Sequence, residues 1–116
     1  MKTQMRESAV VTHGGAGNSS DVKDGCETAN AAAVAALVQG ASALDAAVAA
    51  VVVLEDDPRM NAGTGAVLRL DGKPQLDASV MDARGYGAVA VVEGLKNPVK
   101  LARFVYDSPH MLIAGP

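Results

Sequence analysis

Ser8-Ala-Val-Val-Thr-His-Gly-Gly-Ala-Gly-Asn-Ser-Ser20 is the stretch whose reading decides the fold. Its β-rich run, Ser8 to His13, ends in Gly14-Gly15-Ala16-Gly17, the pattern of a strand entering a glycine loop. An alanine-rich segment, Val22 to Gln39, follows as a helix, with Ser20 or Asp21 placed to cap its start and Gly40 placed to end it in the left-handed region. Ser42-Ala-Leu-Asp45 opens a second helix with a weak capping box, Asp being shorter than the usual Glu or Gln. That helix runs to about Asp56 and stops before Pro58. Both helices are apolar around most of their circumference, which predicts cover on more than one side.

Beyond Pro58 the period changes from helical to alternating. Ala66-Val-Leu-Arg-Leu70 and Gln75 to Met81 flank Asp71-Gly72, a strong hairpin signal. Gly87 to Val92 reads as a further strand. Asn97-Pro98 supplies a cap and a proline at the first helical position, so Val99 to Tyr106 forms a short helix. Met111 to Ala114 is the last strand. The order β-α-α-β-β-β-α-β, without repeats or low-complexity linkers, is an α/β chain read as one unit.

Composition narrows the function. At 116 residues the chain is smaller than a typical domain of about 150, and a multidomain enzyme is not expected of it. Ten Lys and Arg against thirteen Asp and Glu give a net charge of −3, and no basic run offers the contacts that nucleic acid requires. Hydrophobic residues make up 49% but aromatic ones only 3%, so the core is mostly Ala and Val. Such side chains bury little area each, and a partner surface is expected before the chain is stable. The single cysteine, Cys26, cannot form an internal disulfide and points to a reducing compartment, with the cytoplasm as the default. Met1 to Glu7 lacks the apolar region of a signal peptide, and Ala43 to Leu54 is too short to span a bilayer, so no membrane partner is expected.

Gly15 to Ser20 is also a degenerate G-x-G-x-x-G in which Ser20 replaces the third glycine. Exposed backbone N–H groups in such a loop approach an anion closely, which leaves two readings open: a tight turn, or a non-catalytic nucleotide- or anion-binding module built on Gly14 to Gly17.

Thr12-His-Gly-Gly-Ala-Gly17 resembles the opening of the isoaspartyl peptidase/plant-type L-asparaginase family of N-terminal-nucleophile hydrolases. Leu54-Glu-Asp-Asp-Pro-Arg-Met-Asn-Ala-Gly-Thr-Gly65, then Leu76-Asp-Ala-Ser-Val-Met-Asp82, then Lys96-Asn-Pro98 with Leu101-Ala-Arg103 and Ser108-Pro-His110, are similar to later motifs in that family's order. The resemblance covers about residues 8 to 115. It implies an αββα sandwich, of which this chain would supply the N-terminal portion of the α subunit as a single partial domain, residues 1–116. It also implies amidohydrolase activity on L-asparagine or β-aspartyl (isoaspartyl) dipeptides, with small-molecule substrates. A precursor of this type cuts itself, and the new N-terminal threonine becomes the nucleophile, its own amine serving as base. That threonine belongs to the β subunit. None of Thr3, Thr12, Thr28 and Thr64 begins the corresponding motif, so the chain alone is expected to be inactive and to work within an (αβ)₂ assembly.

The same resemblance assigns supporting roles here. Asn61 is the candidate residue beside the nucleophile; the alternative is a turn asparagine bonding its own backbone. His13, Gly14, Gly15 and Gly17 form the loop near the scissile bond. No cofactor is implied, but a structural sodium ion is, held by the carbonyls of Leu54, Glu55, Asp57, Met60, Ala62 and Thr64, hard oxygen ligands for a hard cation. Read by charge alone, Glu55-Asp56-Asp57 is a solvated helix end. His13 and His110 read as capping or buried histidines, and Asp77, Ser79 and Asp82 as polar groups satisfying backbone donors.

Overall fold

Serine hydroxyls start both early helices. In the computed structural model, which describes residues 7–116, Ser19 rather than Ser20 or Asp21 caps a short 3₁₀ turn, Ser20–Val22, by accepting from the Asp21 N–H. That turn runs into α1, Lys23–Val38, which has no side-chain cap of its own. At its far end Gly40 sits at φ +91°. Its N–H bonds to Leu37 O and that of Ala41 to Ala36 O, the paired closure that a left-handed residue after a helix makes possible. Helix α2, Ala43–Asp56, starts where expected, with Ser42 Oγ accepting from Asp45 N–H at 3.1 Å. The capping box is not reciprocal, because the Asp45 carboxylate bonds to the Ser42 hydroxyl and to Arg103 instead.

Strand β1, Leu76–Asp82, and strand β2, Gly85–Val92, pair antiparallel; helix α3, Pro98–Tyr106, returns the chain to β3, Leu112–Ala114, parallel to β2. The sheet order is therefore β1-β2-β3. Gly87 lets β2 and α3 touch backbone to backbone, since a Cβ there would stand 2.3 Å from Tyr106 N and 2.4 Å from Ala102 O. Near the other end of β2, Ala90 and Val91 together oppose Asp77, a bulge that holds Val91 at φ +59°. That conformation is unfavourable for a β-branched residue, and Asp77 Oδ1 steadies it by accepting from Val91 N–H at 2.8 Å.

Two expected strands do not form. Ser8 to His13 finds no ladder partner among the described residues; Val10 packs on α1 and α2, Val11 lies exposed, and the Thr12 hydroxyl donates to Cys26 O. Ala66 to Leu70 turns at Asp71-Gly72 as predicted, but the turn does not open into a hairpin. Val67 N–H is taken by Asn61 Oδ1, and Pro74 has no N–H to give to a second strand. The observed hairpin turns instead at Ala83-Arg84, where Asp82 Oδ1 accepts from Arg84 N–H.

The core has two parts. Leu44 of α2 joins Leu76, Val80, Val89, Val99 and Val105 between sheet and helices, while Ala29, Ala33, Ala46 and Ala50 let α1 and α2 approach closely. Thus α2 and α3 cover one face of the sheet, and α1 reaches it only through α2. The helices are also less enclosed than their composition predicts, with Val34 and Val38 of α1 exposed. Across the sheet, Asp77, Ser79, Met81 and Tyr86 face outward. The result is a slab measuring 61 × 40 × 20 Å, whose radius of gyration of 15.4 Å exceeds the roughly 13 Å of a compact chain this long. No described helix is long and apolar enough to cross a membrane. Residues 1–6, on which the expectation of no leader rests, lie outside the described residues.

Candidate active site

Three glycines and a histidine shape one wall of a cleft of about 560 Å³, and Met60, Asn61 and Ala62 shape the other. The fold thus brings together His13, Gly14, Gly15 and Gly17 with Asn61, across more than forty residues of sequence. His13 acts as a cap: its Nδ1 accepts from Gly15 N–H at 3.0 Å. Gly15 needs its φ of +97° for this turn, which closes through Asn18 N–H on Gly15 O. One N–H that an anion would use is therefore already bonded. His110 lies apart, exposed, its N–H donated to Ser108 Oγ.

Asn61 is exposed, and its Oδ1 accepts from Val67 N–H at 2.9 Å. That bond fixes which end of the carboxamide is oxygen. The Nδ2 group makes no hydrogen bond among the described residues, so Asn61 presents two N–H donors. It also lines a second cavity of about 400 Å³, whose walls include Glu55, Asp77 and Ser79.

The loop after α2 is closed by Thr64 N–H on Glu55 O at 2.8 Å and by Met60 N–H on Asp57 O at 3.0 Å. Glycines permit this closure by lack of side chain, not by unusual φ. A Cβ on Gly65 would stand 2.2 Å from Pro58 O and 2.5 Å from Met60 O; one on Gly63 would stand 2.7 Å from Glu55 O and 3.1 Å from Lys96 O. Carbonyls of Glu55, Pro58 and Met60 thus turn inward. No cluster of three or more His, Cys, Asp or Glu side chains that could hold a metal ion gathers among the described residues. Glu55 O and Asp57 O each keep a second lone pair after these internal bonds. Of the six expected ligand residues, Leu54, Glu55 and Met60 are buried, Asp57 and Ala62 half-buried, and Thr64 exposed. Because Thr64 N is an amide bonded within this ring, it is no free amine to activate its own hydroxyl.

Glu55 is no solvated helix end. It is 2% exposed, and its Oε1 accepts from Val99 N–H at 2.9 Å, capping α3 from another helix. Asn97, the expected cap, instead donates its side-chain amide to Asp56. Burial pushes the Glu55 carboxyl above the ordinary range, against the Val99 N–H, which draws it down; Oε2 has no partner among the described residues. Arg59 straps the loop to α1, bonding the Asp57 carboxylate at 2.7 and 2.9 Å and that of Asp24 at 3.0 and 3.1 Å. These Arg59 bonds hold the Asp57 carboxyl down at about 2.

The asparaginase family model matches residues 6–116. The chain belongs to the asparaginase family. Over 113 residues this asparaginase-family chain is 44% identical to the isoaspartyl peptidase/L-asparaginase of Macaca fascicularis and 43% identical to that of Homo sapiens, covering 90% of itself and 37% of each relative. It is 43% identical over 116 residues to the plant-type L-asparaginase of Pyrococcus abyssi, covering 92% of itself and 38% of that protein. The chain therefore spans little more than a third of the length of the curated relatives it matches.

Two functional candidates escaped the sequence reading. Asn18 donates its side-chain amide to Gly14 O and, at 3.3 Å, to Met60 Sδ. Arg59 is the strap just described. A bidentate Arg at a proline turn is a weak signal, and of the two Asn18 partners Met60 lies 42 residues away.

Proposed function

We propose that this chain is the N-terminal part of the α subunit of an amidohydrolase that cleaves L-asparagine, β-aspartyl dipeptides, or both. The family and the names of the relatives support the reaction class. The observation that carries the reading to particular residues is the cleft where the Gly14–Gly17 loop meets Asn61. In this reading the remainder of the fold completes an αββα sandwich against the open face of the sheet and brings an N-terminal threonine, freed by self-cleavage, to the cleft. Asn61, oriented by Val67 N–H, offers its Nδ2 protons to the threonine hydroxyl or to negative charge developing on the substrate carbonyl oxygen, where a fixed donor is most effective. The carbonyls of Leu54, Glu55, Asp57, Met60, Ala62 and Thr64 hold a sodium ion that stiffens the wall carrying Asn61. Active material is an (αβ)₂ assembly.

The test is expression of the full coding sequence, intact-mass measurement for two polypeptides, and ammonia release from L-asparagine. Asn61→Ala is expected to lower turnover by about 10²-fold, the effect of losing one fixed donor, with thermal stability nearly unchanged. A single uncut polypeptide without activity on either substrate refutes the proposal. The 116-residue chain by itself should show no turnover; activity abolished by Thr64→Ala would do equal damage.

A further inference from the structure

The side chain of Met60 does work that its carbonyl does not require. Met60 is 2% exposed and reaches from its loop beneath the glycine turn, where a Cβ on Gly25 would stand 2.7 Å from Met60 Cε and one on Gly14 3.6 Å from it. Its Sδ accepts from Asn18 Nδ2. The same amide group donates to Gly14 O, so the two protons of Asn18 Nδ2 have one acceptor on each wall of the cleft. Asn18 also donates its backbone N–H to Gly15 O. Gly14, Gly15 and Gly17 have no side chains with which to hold themselves, and glycine loses more conformational freedom on ordering than any other residue.

We infer that Asn18, braced by the Met60 thioether, is a positioning residue that fixes where the Gly14–Gly17 backbone stands over the cleft shared with Asn61. Its consequence for turnover rests on the proposed function, but the positioning itself does not. Asn18→Asp keeps the shape and removes both donors, placing a carboxylate against Gly14 O. Met60→Leu keeps the volume and the Asn18–Gly14 bond and removes only the sulfur acceptor.

The experiment is amide hydrogen exchange, read by mass spectrometry on the protein made from its full coding sequence, beside kcat and KM for asparagine. In Asn18→Asp, exchange at residues 15–18 should accelerate about tenfold, chiefly the consequence of losing the bond to Gly14 O, while β1 and β2 exchange as before. In Met60→Leu the acceleration should be smaller and confined to the same residues. kcat should fall by roughly tenfold to a hundredfold in Asn18→Asp with KM little changed, because the groups are misplaced rather than lost. Unchanged exchange at 15–18, or acceleration spread equally through β1 and β2, overturns the inference whatever turnover does. A wild-type protein without turnover refutes the functional reading alone, and exchange then decides the positioning by itself.

Discussion

Truncating Glu55 to alanine removes the acceptor that the buried Val99 N–H has among the described residues, and the cost can be worked from its surroundings. An orphaned buried donor costs about 1–3 kcal/mol, and the one side-chain methylene lost, Cγ, adds about 0.8 kcal/mol. Against this, the variant no longer buries a carboxyl whose Oε2 lacks a partner among the described residues. The net expectation for Glu55→Ala is about 2–3 kcal/mol of destabilisation, which at a slope of about 1–3 kcal/mol/M lowers the urea midpoint by about 1 M. Glu55→Gln keeps the acceptor oxygen and both methylenes and buries no charge, so it should stay within about 1 kcal/mol of the parent. Equilibrium urea unfolding with matched slopes measures both, and exchange of the Val99 amide localises the effect to the start of α3. If the glutamine variant falls as far as the alanine one, Glu55 acts through its charge and the cap assignment is wrong. If neither falls, Val99 N–H has another acceptor.

Gly65→Ala must move the Pro58 and Met60 carbonyls by about 1 Å to reach an ordinary carbon–oxygen contact, and overpacking of this kind costs about 1–3 kcal/mol or more; Gly85→Ala, with nothing within 4 Å, is the silent control in the same melts. The hydrogen bond from Tyr106 OH, with those from Arg84, holds the Asp82 carboxyl far below its usual value of 3.8. Because the folded value is depressed, the stability it contributes is present above about 3.8 and lost as pH falls through the folded value, so Tyr106→Phe should raise the Asp82 pKa in a carboxyl NMR titration and move acid unfolding to higher pH. Sodium in place of a bulky organic cation, at equal ionic strength, should stabilise the assembled protein by about 2.7 kcal/mol at a hundredfold excess over Kd; equal melting temperatures would remove the ion from the 54–64 loop.

Local chemistry was legible where one residue decides it. Ser42, Gly40 and Pro58 bound their helices because a hydroxyl, a left-handed carbon and a missing N–H act within a few residues of themselves. Gly87 to Val92 and Met111 to Ala114 likewise read as strands from their short apolar runs, and strands form there at Gly85–Val92 and Leu112–Ala114. The failures share another cause, competition between distant groups for the same backbone N–H. Val67 looks like a strand residue until Asn61 takes its proton, and Asn97 looks like a cap until Glu55 does that task from another helix. Ser8 to His13 has the composition of a strand, but a strand exists only with a neighbour. At the cleft, the motifs supplied the glycine loop and Asn61 through family resemblance. Asn18 carried no pattern, since its meaning lies in a sulfur and a carbonyl that the sequence separates.

The third strand has a consequence for anyone handling this segment alone. Leu112, Ile113 and Ala114 are all exposed, carry no charge, and have one side of their backbone paired with β2 and the other side unpaired among the described residues. Such an edge is a template on which another copy can add its own strand. Solutions of the isolated segment should therefore self-associate more as concentration rises, and Ile113→Lys, which sets a charge on that edge, is the simplest way to keep them dispersed for spectroscopy.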